Sequence, residues 1–269
     1  MSPEQAKQLA KERLGETTIN CQGELMTIIA YRSYADIDIQ YLETGSVRLH
    51  QRYDNFRKGL LRDYWLPTVY GVGILEDGKI YDENKKKKIS FLYWESMIRR
   101  CYSKNNTAQY TSLKNCSVCE EWLHFPVFEK WFDENYYKCG EERMCLSKDI
   151  LIPGNTIYSP KTVFFVPERI NNFFTKSDAQ RGLYPIGVHY NKISNRFVAQ
   201  MSALENEERN TKYQTNLGSF KTPEEAFTAY KTAKESYTKE IADYYLKKYP
   251  NFPRKLYDVL YNYRVQITD

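Results

Sequence analysis

The first part of the chain alternates apolar and polar residues. The runs ELMTIIAYR, IDIQYLE and SVRLHQ are short, rich in Ile, Val and Tyr, and separated by Ser, Asp and Gly. A period of two is typical of half-buried strands, and small polar residues mark the turns between them. The pattern predicts a small antiparallel sheet or an SH3-like barrel over residues 15–82, after a leader helix over residues 1–14.

A helical period replaces this alternation in the middle of the chain. Trp94, Met97, Ile98 and Cys101 recur at i, i+3, i+4 and i+7, which predicts one buried helix stripe. The segment EEWLHFPVFEKWF supplies a second aromatic set, which we expect to pack against that stripe. Its members are Trp122, Phe125, Phe128, Trp131 and Phe132. His124 lies among them, and we interpret it as a hydrogen-bonded structural residue.

Three strand patterns and one long helix follow near the C-terminus. The strands lie around YPIGVHY, NRFVAQMSA and YQTNLGSF. Thr222, Pro223 and Glu225 together form the start signal of a helix with a capping box, and Pro250 ends it. We therefore predict a module over residues 181–250 and a tail over residues 251–269 with a short docking helix. The predicted class is α+β, built of three small modules.

Composition limits the functions that the chain can have. Its 269 residues fit roughly two domains or three small ones. No apolar run approaches the ~20 residues of a membrane span, so we expect no membrane contact and a cytoplasmic location in the host cell. The six cysteines are expected to be free thiols. A zinc site at Cys116 and Cys119 is disfavoured because no matched second ligand pair follows, and we predict no metal site there.

Basic residues gather at the start of the middle segment. The net charge is +5, from 39 Lys or Arg against 34 Asp or Glu. Such a cluster could neutralise phosphates of a nucleic acid, although a solvated loop is the alternative interpretation. The candidate residues are Lys85, Lys86, Lys87, Lys88, Arg99, Arg100 and Lys104.

The order of motifs in the middle of the chain resembles a known family. WESMIRRCY, CEEWLHFPVFEKWF, LSKDIL, GNTIYSP and FVPERINNFF follow one another between Trp94 and Phe174. This order is similar to that of the HNH-type homing endonucleases of phages and other mobile elements. The resemblance implies an HNH-like module with a ββα unit over residues 83–176, and phosphodiester cleavage as the ancestral activity.

The chain departs from that family at the catalytic histidine. LSKDIL has Lys148 where the first histidine of the motif would stand. An unperturbed lysine is protonated at pH 7, so it can hold a phosphate but cannot act as a general base without strong desolvation. Asp149, Asn155 and Asn171, or Asn172 in place of Asn171, remain as candidates and would form at best a loose Mg²⁺ site. We expect a weak or inactive site that needs no cofactor, with Mg²⁺ if it is active.

The C-terminal module resembles an AP2 DNA-binding domain. The matching positions are Gly187, Val188, Phe197, Ala199, Leu217, Gly218, Phe220, Thr222, Glu225, Ala226, Ala229 and Tyr230. AP2 domains lay a three-stranded sheet in the major groove, so the resemblance implies DNA contacts from this sheet. The arginine-rich opening of the family is missing and the acidic segment LENEERN would repel phosphate, so a scaffold used for protein contact is the alternative. The candidate contact residues are Lys192, Arg196 and Gln200.

Three functions are compatible with these patterns. The first is a DNA-binding protein of phage or mobile-element origin, with double-stranded DNA as partner and a lost or weakened nuclease activity. The second is a protein inhibitor of a host defence nuclease, of the anti-CRISPR or anti-restriction type, which would use its 24 Tyr at an interface with the nuclease complex. The third is an active Mg²⁺-dependent DNA nickase.

Overall fold

Two compact units make up the chain. The computed structural model describes residues 3–103, 116–174, 183–202 and 214–267. One unit comprises Met1–Asp133 and the other Glu134–Asp269. Both contain helices and strands, which agrees with the predicted α+β class.

The first unit begins with a helix and an antiparallel sheet. Its elements are α1 (Pro3–Arg13), β1 (Thr17–Ile19), β2 (Leu25–Ser33), β3 (Asp36–Tyr41), β4 (Val47–Gln51) and α2 (Tyr53–Arg57). The strands lie in the order β1-β2-β3-β4, so the described strands form an open antiparallel sheet. One face of the sheet is apolar because the inward positions of β2 and β3 carry large aliphatic and aromatic side chains. This core consists of Met26, Ile28, Ile37, Ile39, Tyr41, Tyr53, Phe56 and Leu61.

An aromatic core follows in the same unit. It lies among α3 (Ile89–Tyr102), a 3₁₀ helix (Glu120–Leu123) and α4 (Phe125–Asn135), with the short β5 (Ser117–Val118) between α3 and the 3₁₀ helix. Trp94 and Trp122 are completely or almost completely buried, and the Trp94 indole donates to the Trp122 carbonyl at 2.7 Å. The Trp94 ring centroid lies 5.4 Å from that of Phe125. The predicted packing of the two aromatic segments is therefore confirmed.

The second unit contains a hairpin followed by a helix. β6 (Met144–Ser147) pairs antiparallel with β8 (Phe164–Pro167), and α5 (Glu168–Phe174) follows directly; the short β7 (Ile157–Tyr158) lies in the intervening loop. This hairpin and α5 are tied to the long helix of the unit. The buried Tyr245 hydroxyl donates to Glu142 at 2.8 Å, and the Lys234 amine donates to the Phe173 carbonyl at 3.2 Å while lying over the Phe173 ring.

The long helix covers one face of a three-stranded sheet. β9 (Val188–Asn191), β10 (Arg196–Ser202) and β11 (Gln214–Phe220) form an antiparallel sheet in the order β11-β10-β9, and α6 (Pro223–Lys248) and α7 (Arg254–Tyr261) follow. The capping box of Thr222 and Glu225 is present, as predicted. Gly187 has a φ of 76°, and an added Cβ would lie 2.1 Å from the Tyr230 ring, so this position excludes side chains.

The C-terminal tail forms the short helix α7. α7 buries Leu256 and Leu260 almost completely, which confirms the predicted short docking helix. Among the helices that the structure describes, none combines the length and the apolar character that a membrane crossing requires.

Candidate functional site

Lys148 stands immediately after β6, and its side chain is buried. The residue is 6% exposed. Its ammonium donates to Asp149 Oδ1 and to the Asn155 carbonyl oxygen, both at 2.7 Å. A buried ammonium is tolerated when it is paired and hydrogen-bonded, and these two contacts use two of its three donors.

Asn155 holds the loop that follows β6. Its Nδ2 donates to the carbonyls of Lys148 at 3.1 Å and Ile157 at 2.7 Å, and its Oδ1 accepts from the Ile157 amide at 3.1 Å. The loop is therefore closed on itself by Lys148 and Asn155 together. Asn155 therefore orients this turn.

The remaining candidates, Asp149 and the α5 residues Asn171 or Asn172, are more accessible than Lys148. The Asp149 side chain is 55% exposed, although one of its oxygens holds Lys148. Asn171 lies half-buried on α5, the helix that follows β8, and Asn172 beside it is exposed. The hairpin therefore places Lys148, Asp149 and Asn155 in direct contact.

A group of three metal-type side chains lies elsewhere, in the first unit. Asp36, Asp38 and His50 bring ligand atoms within 4.8 Å of one another. Arg32 donates to both Asp36 oxygens at 2.8 Å and to Asp38 Oδ2 at 2.9 Å, and His50 Nδ1 lies 3.0 Å from Asp36 Oδ1. A guanidinium therefore already occupies the position that a cation would take.

Arg32 also determines the electrostatics of this group. Its hydrogen bond to the carboxylate lowers the pKa of Asp36 to about 2, and the same guanidinium lowers the pKa of Asp38. Sequence reasoning missed this cluster. The spacing of Arg32 before two alternating aspartates was a usable signal, but His50 joins them only through strand pairing.

The predicted basic cluster is partly neutralised. Lys87 pairs with Glu95 at 3.4 Å, and Lys88 pairs with Glu129 at 3.1 Å. Lys85 and Lys86 are exposed and form no ion pair with the described residues. Arg99 is exposed on α3 and Arg100 is half-buried, whereas Lys104 lies outside the described residues. Two of the four consecutive lysines are therefore engaged within the protein, and the surface charge is smaller than the sequence suggests.

The sheet of the second unit has one apolar and one polar face. Residues that are directly opposite on neighbouring antiparallel strands point to the same face. Arg196 is opposite Asn191, Val198 is opposite His189 and Ser219, and Gln200 is opposite Asn216. The alternate residues of β10, among them Ala199 and Met201, are buried in the core with α6.

This polar face brings two of the three predicted contact residues together. Arg196, His189 and Asn216 are exposed, Gln200 is half-buried, and Val198 is buried among them. The Arg196 guanidinium lies across the sheet, where it donates to the Ser219 carbonyl at 3.4 Å. Lys192 is exposed in the turn between β9 and β10. The face therefore presents amide, imidazole and guanidinium groups side by side.

His124 and the cysteines have structural surroundings. His124 Nδ1 lies 2.7 Å from Glu76 Oε1, as expected for a hydrogen-bonded structural histidine. All six cysteines are free, which confirms that prediction. Cys139 is completely buried, and burial raises the pKa of its thiol to about 12. Cys119 is half-buried rather than fully buried, while Cys116 is 8% exposed.

Comparison with known protein families, with curated proteins and with solved structures found no match.

Proposed function

We propose that the chain is a DNA-binding protein, similar to the HNH/AP2 homing endonucleases, that holds double-stranded DNA on the sheet β9-β10-β11. The observation that carries the proposal is the polar face of this sheet. Arg196, Gln200, His189 and Asn216 share that face, while the opposite face is buried against α6. A small sheet that is apolar on one side and rich in hydrogen-bonding side chains on the other is suited to a polar partner.

The dimensions and chemistry of this face suit a duplex. Strands are spaced about 4.8 Å apart, so the outer strands of three lie roughly 10 Å from each other. The major groove of B-DNA is about 12 Å wide and admits β-structure. Arg196 offers two parallel donors for guanine, and Gln200 offers the donor and acceptor pair that adenine requires. Asn216 offers its amide donor, because its Oδ1 already accepts from the Gly218 amide at 2.9 Å.

We further propose that the β6-β8-α5 segment is a weakened or inactive nuclease site. A general base needs a free lone pair to accept the proton of the attacking water. The Lys148 ammonium instead donates two hydrogen bonds of 2.7 Å and holds the loop closed. Asp149 is the one carboxylate among the candidates. A single carboxylate with amide side chains is a poor ligand set for a catalytic cation.

The test is duplex binding by the full chain at two salt concentrations. A random-sequence duplex should bind more weakly at 200 mM than at 50 mM salt, because phosphate contacts release counterions. Arg196→Ala should weaken binding by about 1–3 kcal/mol if the guanidinium contacts a base. If it contacts a phosphate, the slope of log K against log salt concentration should become shallower by about 1. Arg254→Ala is the matched control, since Arg254 is an exposed arginine on α7, paired with Asp258. Equal effects of both variants, or no binding at low salt, would overturn the proposal.

The same samples test the nuclease. They are incubated with Mg²⁺ and run on a denaturing gel. Intact strands agree with a weakened site, whereas nicks that disappear in Asp149→Ala would establish an active nickase.

A second candidate function is favoured by an apolar row on the first unit. Ile19 pairs with Leu25, and the Leu42 amide donates to the Leu25 carbonyl, so the three side chains lie in one row across the sheet. They are 62%, 41% and 51% exposed. Such a row supports contact with a protein, as an inhibitor of a host defence nuclease would need. Binding to a nuclease complex that Leu25→Ser abolishes, together with no duplex affinity, would favour this function.

A further inference from the structure

Ile193 is an apolar side chain held almost entirely in solvent. It lies in the turn between β9 and β10 and is 99% exposed. Among the described residues, the other exposed large apolar side chains are 37–62% exposed, with Leu183 at 98% as the exception. A scattered apolar residue on a surface is ordinary, but Ile193 combines this high exposure with a position in the turn beside the polar face of the sheet.

The turn that carries Ile193 is ordered by its neighbours. The Asn191 Oδ1 accepts from the amides of Ile193 at 2.9 Å and Ser194 at 3.2 Å. Asn195 adopts a φ of 52°, and its side-chain oxygen accepts from the Tyr190 hydroxyl. These bonds fix the backbone, so the isoleucine is presented on a defined turn next to the polar face.

The charges around Ile193 indicate what it would meet. Lys192 precedes it and Arg196 follows it, and both are exposed. Residues 183–202 contain no Asp or Glu. The turn therefore offers an anionic partner one apolar side chain between two cations, while the acidic residues Glu224 and Glu225 lie on the first turn of α6, after β11.

We propose that Ile193 is an apolar wedge that enters between base pairs of the bound duplex. This inference rests on the proposed DNA-binding function and names its preferred substrate, which is a duplex whose stacking is easily opened. Side chains such as isoleucine unstack base steps in many DNA-bending proteins, while cations beside them hold the phosphates. The cost of unstacking is lower at a mismatch or at a pyrimidine–purine step.

The experiment uses the full chain and two duplexes that differ by one central mismatch. Affinity is measured by fluorescence anisotropy, and unstacking by the fluorescence of a 2-aminopurine beside the mismatch. We expect the wild type to bind the mismatched duplex on the order of tenfold more tightly and to increase the 2-aminopurine signal. Ile193→Ser should lose the preference and the signal but keep the salt dependence.

The control is Leu183→Ser, which removes an equally exposed apolar side chain outside the turn and should behave as the wild type. Neither substitution should change the melting temperature, because both side chains are exposed to solvent. If Ile193→Ser retains the mismatch preference, or if Leu183→Ser loses it equally, the wedge is refuted while DNA binding stands. If the wild type binds neither duplex, both the wedge and the proposed function fail.

Discussion

Glu24 is a buried acid that sits beside a second buried carboxylate. The residue is 3% exposed, and neither carboxylate oxygen forms a hydrogen bond of ordinary geometry with the described residues, although the Thr44 backbone and the Asp63 side chain lie close enough to influence its titration. Asp63, which is 2% exposed, is the neighbouring charge. Burial, followed by the charge of Asp63, raises the pKa of Glu24. We predict that Glu24→Gln stabilises the first unit near neutral pH.

The magnitude follows from the cost of an unsatisfied buried group. That cost is about 1–3 kcal/mol. Glutamine has almost the same shape, carries no charge and offers an amide donor towards the Asp63 carboxylate. We expect a gain of about 1–2 kcal/mol at pH 8, which corresponds to a rise in Tm of roughly 3–8 °C for a unit of this size.

The pH dependence has a definite sign. The pKa of Glu24 is higher in the folded than in the unfolded state. Its contribution to stability is therefore complete below the ordinary glutamate pKa of about 4.3, and it is lost as the pH rises through the pKa of the folded state. Glutamine does not titrate. The difference in Tm between variant and wild type should therefore be small at pH 4 and grow towards pH 8.

The assay is thermal unfolding of the wild type and of Glu24→Gln from pH 4 to pH 8, monitored by calorimetry. Glu83→Gln serves as the control, since Glu83 is exposed in the same unit and its neutralisation should leave Tm almost unchanged. A variant that is less stable than the wild type at every pH, or a difference that does not grow with pH, would show that the Glu24 carboxylate is satisfied and that the reasoning is wrong.

Substitutions at three other positions test the fold. Gly187→Ala should destabilise the second unit by about 3 kcal/mol or more, because it combines a left-handed φ with a Cβ placed 2.1 Å from the Tyr230 ring; an unchanged denaturant midpoint would contradict this. Thr222→Ala should cost about 1 kcal/mol through loss of the helix cap, whereas Thr222→Ser should retain it in the same assay. Acid titration should destabilise the first unit between about pH 4 and pH 2. The pKa of Asp36 is lower in the folded protein, so its contribution to stability is present above the ordinary aspartate pKa and is lost as the pH falls through the folded value of about 2. Arg32→Gln should remove this part of the acid transition in circular dichroism, and an unchanged transition would exclude the ion pair as its cause.

Local chemistry explains why the C-terminal elements could be predicted from sequence. Thr222 and Glu225 satisfy each other's backbone donors across three residues, so the start of α6 depends on no distant contact. The buried stripe of α3 was predictable for the same reason, because a helical period is a property of one segment. Trp94, Met97 and Ile98 are buried, as this period requires, whereas Cys101, the fourth member of the predicted stripe, is partly buried.

Register across strands could not be predicted in this way. The pairing of β2 with β3 shifts between Ile28 and Ala30 and again between Tyr31 and Ser33. These bulges help to set which side chains face Arg32 across the sheet. The network with Asp36 and His50 therefore depends on bulges that no alternation of apolar and polar residues reveals.

For Lys148, one part of the outcome could be predicted from sequence and another part could not. Its position in the motif was evident from sequence, and this position raised the question of catalysis. What the motif could not indicate is that the amine is buried and already donates to Asp149 and Asn155. A loop held in this way keeps its shape without a metal, so a lysine at the position where the proposed family has a histidine is compatible with a folded hairpin. This agrees with the proposal that the chain keeps a nuclease-like scaffold and contacts DNA through Arg196 and the polar face of the C-terminal sheet.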